Sequence, residues 1–283
     1  MQIREALTQA IESLRNQEVE SPRLDAELLL AEVLRVNRAA LLTWPERRLS
    51  PKQLTWYRDS VARRAAREPL AYITGHREFF GLDLAVDRRV LIPRPETELL
   101  VERAIEIGRG MRERPTIADV GAGSGAIAVS LAVHLTGATV YALDSSVGAL
   151  DVVAANARRH GVAERVHCLQ GDLLGPLPET VDLVAANLPY VTTEEWEALP
   201  PEIRVYEPRA ALDGGSDGLD HIRRLFVTAG PHLRPSGTIL VEIGAGQGAS
   251  VTALAREACP GAEVELCQDL AQLDRLVVVR YPK

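Results

Sequence analysis

From Thr116 onward, short β-branched apolar runs alternate with helix-patterned stretches, and few architectures accommodate that alternation. Thr116 to Val120, Thr139 to Asp144, Val166 to Gly171, Val181 to Ala186 and Thr238 to Ile243 read as strands. Ala126 to Leu135, Ser146 to His160, Leu219 to Ala229 and Gln247 to Ala258 read as helices. Two final strands, Ala262 to Cys267 and Leu276 to Tyr281, lie close enough in the chain to pair antiparallel. Repeated βα units build a parallel sheet with helices on both faces. The expected fold is α/β: a doubly wound, mostly parallel, seven-stranded Rossmann-like sheet. Ligands of such sheets bind outside the carboxyl ends of the strands. The residues that end each strand are therefore the ones to read for chemistry.

The first strand ends in Gly121-Ala122-Gly123-Ser124-Gly125. Glycines there let a ligand approach the backbone, and the N–H groups opening the next helix suit an anionic group such as a carboxylate. Asp144 ends the second strand, where a carboxylate accepts from both hydroxyls of a ribose. Asp172 follows the third, in position to accept from an adenine amino group. The fourth runs into Asn187-Leu188-Pro189-Tyr190. Asn187 offers one carbonyl acceptor. Pro189 holds Leu188 extended and donates no N–H, which leaves the Leu188 carbonyl free to accept. Tyr190 supplies a flat wall. Two acceptors beside a flat wall suit a planar NH2 group, whether of adenine, cytosine or a side-chain amide. Each feature alone is equally a tight turn, a helix cap or an Asn-Xaa-Pro loop; their succession on four strand ends favours a site.

Glycine spacing leaves the cofactor open. Gly121, Gly123 and then Ala126 satisfy a dinucleotide fingerprint in its alanine variant as well as an S-adenosylmethionine loop. The Asn187 turn favours methyl transfer, because hydride transfer has no use for an NH2-binding turn. A near copy, Glu242-Ile243-Gly244-Ala245-Gly246-Gln247-Gly248, lacks such a turn two strands later and reads as a packing and turn device.

Residues 1 to about 70 read as helices. Ser21-Pro22 and Ser50-Pro51 each place an N-cap before a proline at the first helical position. Arg58, Arg63, Arg64 and Arg67 read as a solvated face, or as a dock for an acidic or phosphate-bearing partner. Ala71-Tyr72-Ile73, Glu78-Phe79-Phe80 and Leu82 to Val86 suggest short strands with glycine turns, a β-hairpin linker. Leu91 to Glu98, stiffened by Pro93 and Pro95, precedes a helix from Thr97; Glu96 and Glu98 complement its dipole, or the segment forms a lip over a pocket.

Charge narrows the partners. Residues 1–75 carry 12 Lys and Arg against 10 Asp and Glu, so of the net −7 about −9 falls beyond them, which weighs against a nucleic-acid substrate. Three cysteines without Cys-x-x-Cys argue against a disulfide framework or a zinc site and fit a reducing cytoplasm. No apolar run nears the roughly 18 residues of a membrane helix, and the amino terminus lacks a signal-peptide core.

Several segments together resemble the HemK/PrmC family of peptide-chain-release-factor glutamine N5-methyltransferases. They are Pro69 to Gly75, Glu78-Phe79-Phe80-Gly81, Ile92-Pro93-Arg94-Pro95-Glu96-Thr97-Glu98, Gly123 to Ala128, and Glu207-Pro208-Arg209-Ala210-Ala211-Leu212 with Gly215 and Asp217-Gly218-Leu219. Two departures stand out: Leu188 replaces the first proline of the family's Asn-Pro-Pro-Tyr, and Gln272 replaces a glycine after Asp269-Leu270-Ala271. Only the backbone carbonyl of residue 188 serves the motif, although Asn-Leu-Pro-Tyr also occurs in ribosomal RNA adenine dimethyltransferases. The resemblance implies a helical substrate-recognition domain at 1–70, a hairpin linker at 71–92 and an S-adenosylmethionine-dependent methyltransferase domain at 93–283. It implies that Gly121 to Gly125 cradle the methionine end of the cofactor, that Asp144 holds the ribose, and that Asp172 and Leu173 border the adenine. Asn187 to Tyr190 would hold the substrate glutamine, in the Gly-Gly-Gln motif of bacterial class I release factors. A cytoplasmic monomer is expected, with no membrane and no direct nucleic-acid contact. The rival readings are a ribosomal-protein glutamine methyltransferase, an adenine N6-methyltransferase and a non-catalytic S-adenosylmethionine sensor.

Overall fold

The computed structural model describes residues 1–111 and 113–282, which divide into two compact units. The first comprises residues 1–76 with 200–206, and the second holds the remainder.

The first unit is helical: α1 (Ile3–Asn16), α2 (Pro22–Leu34), α3 (Arg38–Thr43), α4 (Pro51–Ala65) and α5 (Leu70–Thr74). Ile3, Ala6, Ala10 and Leu14 recur on one face of α1 and are buried against Leu29 and Leu30 of α2 and Tyr57 and Val61 of α4. The Tyr57 hydroxyl, buried with that core, donates to the Ala26 carbonyl at 3.0 Å. Ser50 caps α4 in a reciprocal box with Gln53. Ser21 holds the N-cap position of α2 before Pro22 but makes no side-chain capping bond; its ψ of 61° departs from the extended backbone that capping favours. The short α3, capped by Asn37, was not legible in the periodicity.

Two further expectations change. Arg64 is buried rather than on a solvated face; its Nε donates to Asp25 Oδ2 at 2.7 Å and its Nη2 to Glu202 Oε1 at 3.2 Å. Arg67, half-buried, also pairs with Glu202, whereas Arg58 and Arg63 are exposed as expected, Arg63 pairing with Glu68. Ala71-Tyr72-Ile73 forms the helix α5, not a strand. Pro69 precedes its first turn, and Gly75, at φ 81°, closes it with an N–H to the Ala71 carbonyl. The β propensity of Tyr72 and Ile73 yields to these end signals and to burial of the Tyr72 ring.

The hairpin β1 (His76–Phe79) and β2 (Leu82–Ala85) follows, and from Arg77 onward it belongs to the second unit. Phe80 and Gly81 both take positive φ, as a two-residue turn of matching twist requires. Next come α6 (Thr97–Arg109), β3 (Thr116–Val120), α7 (Ala126–His134), β4 (Thr139–Asp144), α8 (Val147–Arg159), β5 (Val166–Gln170) and β6 (Val181–Ala186). After β6 come two one-turn helices absent from the sequence reading, α9 (Thr193–Ala198) and α10 (Pro201–Tyr206), the latter belonging to the helical unit. The chain ends with α11 (Asp220–Ala229), β7 (Leu233–Glu242), α12 (Gly248–Ala258), β8 (Glu263–Gln268) and β9 (Asp274–Arg280).

The seven-stranded order is β5-β4-β3-β6-β7-β9-β8. The first five are parallel neighbours, and β9 inserts antiparallel between β7 and β8. Successive residues feed opposite faces: Ile117 and Leu183 join a core with α6, α7 and α8, whereas Ala118 and Val184 join one with α11 and α12. Every residue of β3 is buried. Register then sets the site. Val120 pairs with Leu143 and Ala186, and Asp144 with Gln170, so four carboxyl ends stand level. The order turns back at β3, whose neighbours β4 and β6 follow in opposite directions; a crevice opens at such a switch point. No helix among the described residues is long and apolar enough to cross a membrane.

Candidate active site

Three positive-φ glycines shape the loop after β3: Gly121 at 75°, Gly123 at 53° and Gly125 at 79°. The N–H groups of Gly121 and Ala122 both donate to the Leu143 carbonyl, at 2.9 and 3.0 Å, which folds the loop back over β4. A Cβ on Gly125 would lie 3.2 Å from the Val153 Cα, a tight contact, at a φ that only glycine adopts cheaply. Beneath the loop, Asp119 is fully buried and accepts from Ala128 N at 2.9 Å. Burial pushes its carboxyl up to about 7; the Ala128 N–H opposes the rise and Asp144 adds to it.

The Asp144 carboxylate is held at both oxygens: Oδ2 accepts from Gly123 N at 2.9 Å and Oδ1 from Ser146 N at 2.8 Å. It keeps lone pairs for a ligand, since each oxygen accepts more than one bond. Asp172 is exposed and ion-pairs with Arg224, and Leu173 beside it is half-buried at φ 46°. Gly121, Gly123, Asp144, Asp172, Leu173, Asn187, Leu188 and Pro189 line one cleft of about 270 Å³. Ala122, Ser124 and Gly125 do not line it; they shape the turn, with the Ser124 carbonyl tied to Asn156 Nδ2 at 2.9 Å. Tyr190 lines a smaller adjoining cavity that shares Asn187 and Leu188 with the cleft. The far wall comes from Pro208, Ala210, Ala211 and His221, none singled out by chemistry in the sequence.

The turn after β6 is braced from several sides. Asn187 Nδ2 donates to Thr97 Oγ1 at 3.0 Å. The Tyr190 hydroxyl donates to Glu242 Oε1 at 3.3 Å, and Gln247 Nε2 donates to the Tyr190 carbonyl at 2.9 Å. The second glycine loop thus serves as the packing device expected of it: Gly244 N fixes Gln247 at 2.8 Å, and Gln247 fixes Tyr190. Glu242 is buried; burial pushes it up to about 7, with the Thr97 and Tyr190 hydroxyls pulling it down. Glu207, also buried, accepts from Ile92 N at 3.1 Å and Arg94 Nη2 at 2.6 Å, which pins the proline-rich segment beside the cavities. Glu98 lies in the first turn of α6, as expected at a helix dipole, and also accepts from Phe80 N at 2.9 Å. Thr97 and Glu242 were missed as site residues. Their only signal was position: one in the Arg-Pro-Glu-Thr-Glu segment, the other at the end of the strand neighbouring β6.

Comparison with known proteins finds two family matches. Residues 5–75 match the PrmC N-terminal domain, and residues 117–207 match a methyltransferase domain. The release factor glutamine methyltransferase of Moorella thermoacetica is 46% identical over 276 residues, 97% of each chain. That of Nitratidesulfovibrio vulgaris is 42% identical over 97% of this chain and 93% of its own. Among solved structures, a methyltransferase from Pyrococcus furiosus superposes with a TM-score of 0.53 at 17% identity, covering 72% of this chain and 91% of that one. At that identity the likeness is one of fold.

Proposed function

The chain belongs to the release factor glutamine methyltransferase family, and from that membership we propose its reaction: methylation of the side-chain amide nitrogen (N5) of the Gly-Gly-Gln glutamine in bacterial class I release factors. The observation that carries this reading is the polarity of the Asn187 turn. Nδ2 is engaged by Thr97, while Asn187 Oδ1 and the Leu188 carbonyl take no hydrogen bond among the described residues. Two free acceptors beside a cleft match the two N–H groups of a primary amide.

An amide nitrogen is a poor nucleophile because its lone pair is delocalised into the carbonyl. Acceptors on both hydrogens orient that nitrogen, favour its pyramidal form and stabilise the positive charge that develops on it. Placement of this kind is worth up to about 7–11 kcal/mol in well-oriented systems. Tyr190, Leu91 and Ala211 wall the smaller cavity, where they would pack the glutamine stem and exclude water.

S-adenosyl-L-methionine is read as the methyl donor. The residues fit it: a glycine loop with no Cβ at the cleft, a carboxylate held with lone pairs to spare, and Leu143 and Leu173 as apolar walls. Gly121 to Gly125 would take its methionine end, Asp144 the ribose, and Asp172 with Leu173 the adenine edge. When bound, it supplies a methyl group already activated on a sulfonium sulfur. The chain's own task is therefore placement, and no nucleophile or metal is called for.

The helical domain, 1–70, is read as the release-factor dock. Exposed Leu42, Trp44 and Trp56 support that role, because aromatic anchors dominate protein interfaces. A partner that works at the ribosome implies a cytoplasmic enzyme, and we infer a monomer, since one chain carries both cleft and dock. The test is transfer of label from S-adenosyl-L-methionine to an unmodified class I release factor and to its Gly-Gly-Gln glutamine→alanine variant. Label on the first alone is the expected result. Label on both, or on a ribosomal protein and neither factor, overturns the assignment.

A further inference from the structure

An asparagine amide has two faces of nearly the same shape, one accepting and one donating. Turned by half a rotation, Asn187 would present two N–H groups to an incoming NH2 and repel it. Something must choose the face. The partner of its NH2, the Thr97 hydroxyl, does not choose by itself, because a hydroxyl donates or accepts equally well. It chooses only if its own proton is committed elsewhere.

A buried carboxyl stands where that commitment would be made. Glu242, at the end of β7, is 1% exposed. Its Oε1 takes the Tyr190 hydroxyl at 3.3 Å. Its Oε2 is buried with no donor in standard hydrogen-bond geometry among the described residues, while the Thr97 hydroxyl is near enough to act on the same carboxyl. An orphaned buried carboxyl oxygen is costly, and the cheapest relief is a neighbouring hydroxyl turned toward it. Glu96, Arg275 and Tyr190 are the other groups acting on Glu242. Of these only Tyr190 also belongs to the Asn187 turn, and its donor is already used on Oε1.

We propose that Glu242 and Thr97 form a positioning relay for the reaction inferred above: the ionised Glu242 carboxylate accepts a hydrogen bond from the Thr97 hydroxyl, Thr97 is left only to accept, and Asn187 is thereby locked with Nδ2 toward Thr97 and Oδ1 toward the cleft. The same carboxyl holds the Tyr190 hydroxyl, so one group braces both ends of the Asn187-Leu188-Pro189-Tyr190 turn. Neither Thr97 nor Glu242 lines the cleft; Thr97 acts through Asn187, which does, and Glu242 through Thr97 and through Tyr190 of the adjoining cavity.

The relay is tested with Thr97→Val, Thr97→Ser and Glu242→Gln. Thr97→Val keeps the shape and removes the hydroxyl. Glu242→Gln offers Thr97 a donor in place of an acceptor, which frees the Thr97 proton to turn to Asn187. Both should lower kcat about tenfold or more, with S-adenosylhomocysteine affinity unchanged within about twofold, and Thr97→Ser should restore most of the rate. In an Asn187→Ala background Thr97→Val should add no further loss. Full kcat in both variants, a loss that multiplies with Asn187→Ala, or a parallel loss of nucleotide affinity would each overturn the relay. A readout without substrate is the Asn187 side-chain NH2 resonance in 15N-asparagine-labelled protein, assigned by its absence in Asn187→Ala. Its exchange with water should be slow in the parent and in Thr97→Ser and fast in Thr97→Val; equal exchange in all three refutes the relay. Because that measurement needs no methyl acceptor, an inactive parent protein would count against the functional reading and still leave the relay judged.

Discussion

Asn187 and Asp144 sit on strand ends that flank β3 and are given different work, so their removal should separate two constants. Asn187→Ala deletes an acceptor for the substrate amide and leaves the glycine loop and Asp144, which would hold the nucleotide, in place. Turnover should fall roughly 10²-fold while cofactor affinity stays within a few-fold. Asp144→Ala deletes the group proposed for the ribose and frees the Gly123 N–H it holds; calorimetry should show weakened nucleotide binding. Swapped phenotypes would reverse the two roles. Glu242 gives a stability test at the same scale. Its folded-state value, about 7, lies above the ordinary 4.5 because burial disfavours the anion. Between those values the folded protein keeps a proton that the unfolded chain has released. This group's contribution is therefore full below about 4.5 and is lost as pH rises toward 7, by up to about 1.4 kcal/mol per pH unit. Glu242→Gln removes the titration. The variant's melting temperature relative to the parent should thus rise across pH 4.5–7; parallel curves would show that Glu242 does not titrate there.

At the scale of elements, the connection from β3 to α7 depends on a backbone that only glycine adopts cheaply. Gly125 caps α7 at φ 79° with the Val153 Cα close by. Gly125→Ala should cost about 1–2 kcal/mol for the left-handed conformation alone and more for the contact with α8. It should also weaken nucleotide binding, because the loop would move off the Leu143 carbonyl that now anchors it. A denaturant midpoint equal to that of the parent would show that the loop tolerates the methyl. The elements that sequence reading mistook share one cause. Ala71-Tyr72-Ile73 has strand propensity, but Pro69 and Gly75 bracket it as a helix, and so short a run follows its ends. α3, α9 and α10 are six residues each, too brief to display a helical period.

Across the whole molecule, the helical unit draws on residues far apart in the chain. Glu202 binds Arg64 and Arg67, and the Tyr206 hydroxyl donates to the Ala66 carbonyl at 2.7 Å, so 200–206 belongs with the amino-terminal helices. Deleting residues 1–70 to test docking would strip those partners away. The truncated protein should be cut by trypsin after Arg204 much faster than the intact chain, as mass spectrometry of a limited digest would report; equal rates would mean the segment holds itself. The sequence by itself determined the doubly wound sheet, the glycine loop, Asp144 and the Asn187 turn, because strand period, glycine and proline act over a few residues and leave a local pattern. Only the tertiary structure decided that Arg64 is a buried ion, that Asp172 reaches Arg224, and that Glu242 and Thr97 stand behind Asn187. Those are pairings between residues tens of positions apart, fixed by strand order and register, and no local pattern records which side chains a folded sheet brings together.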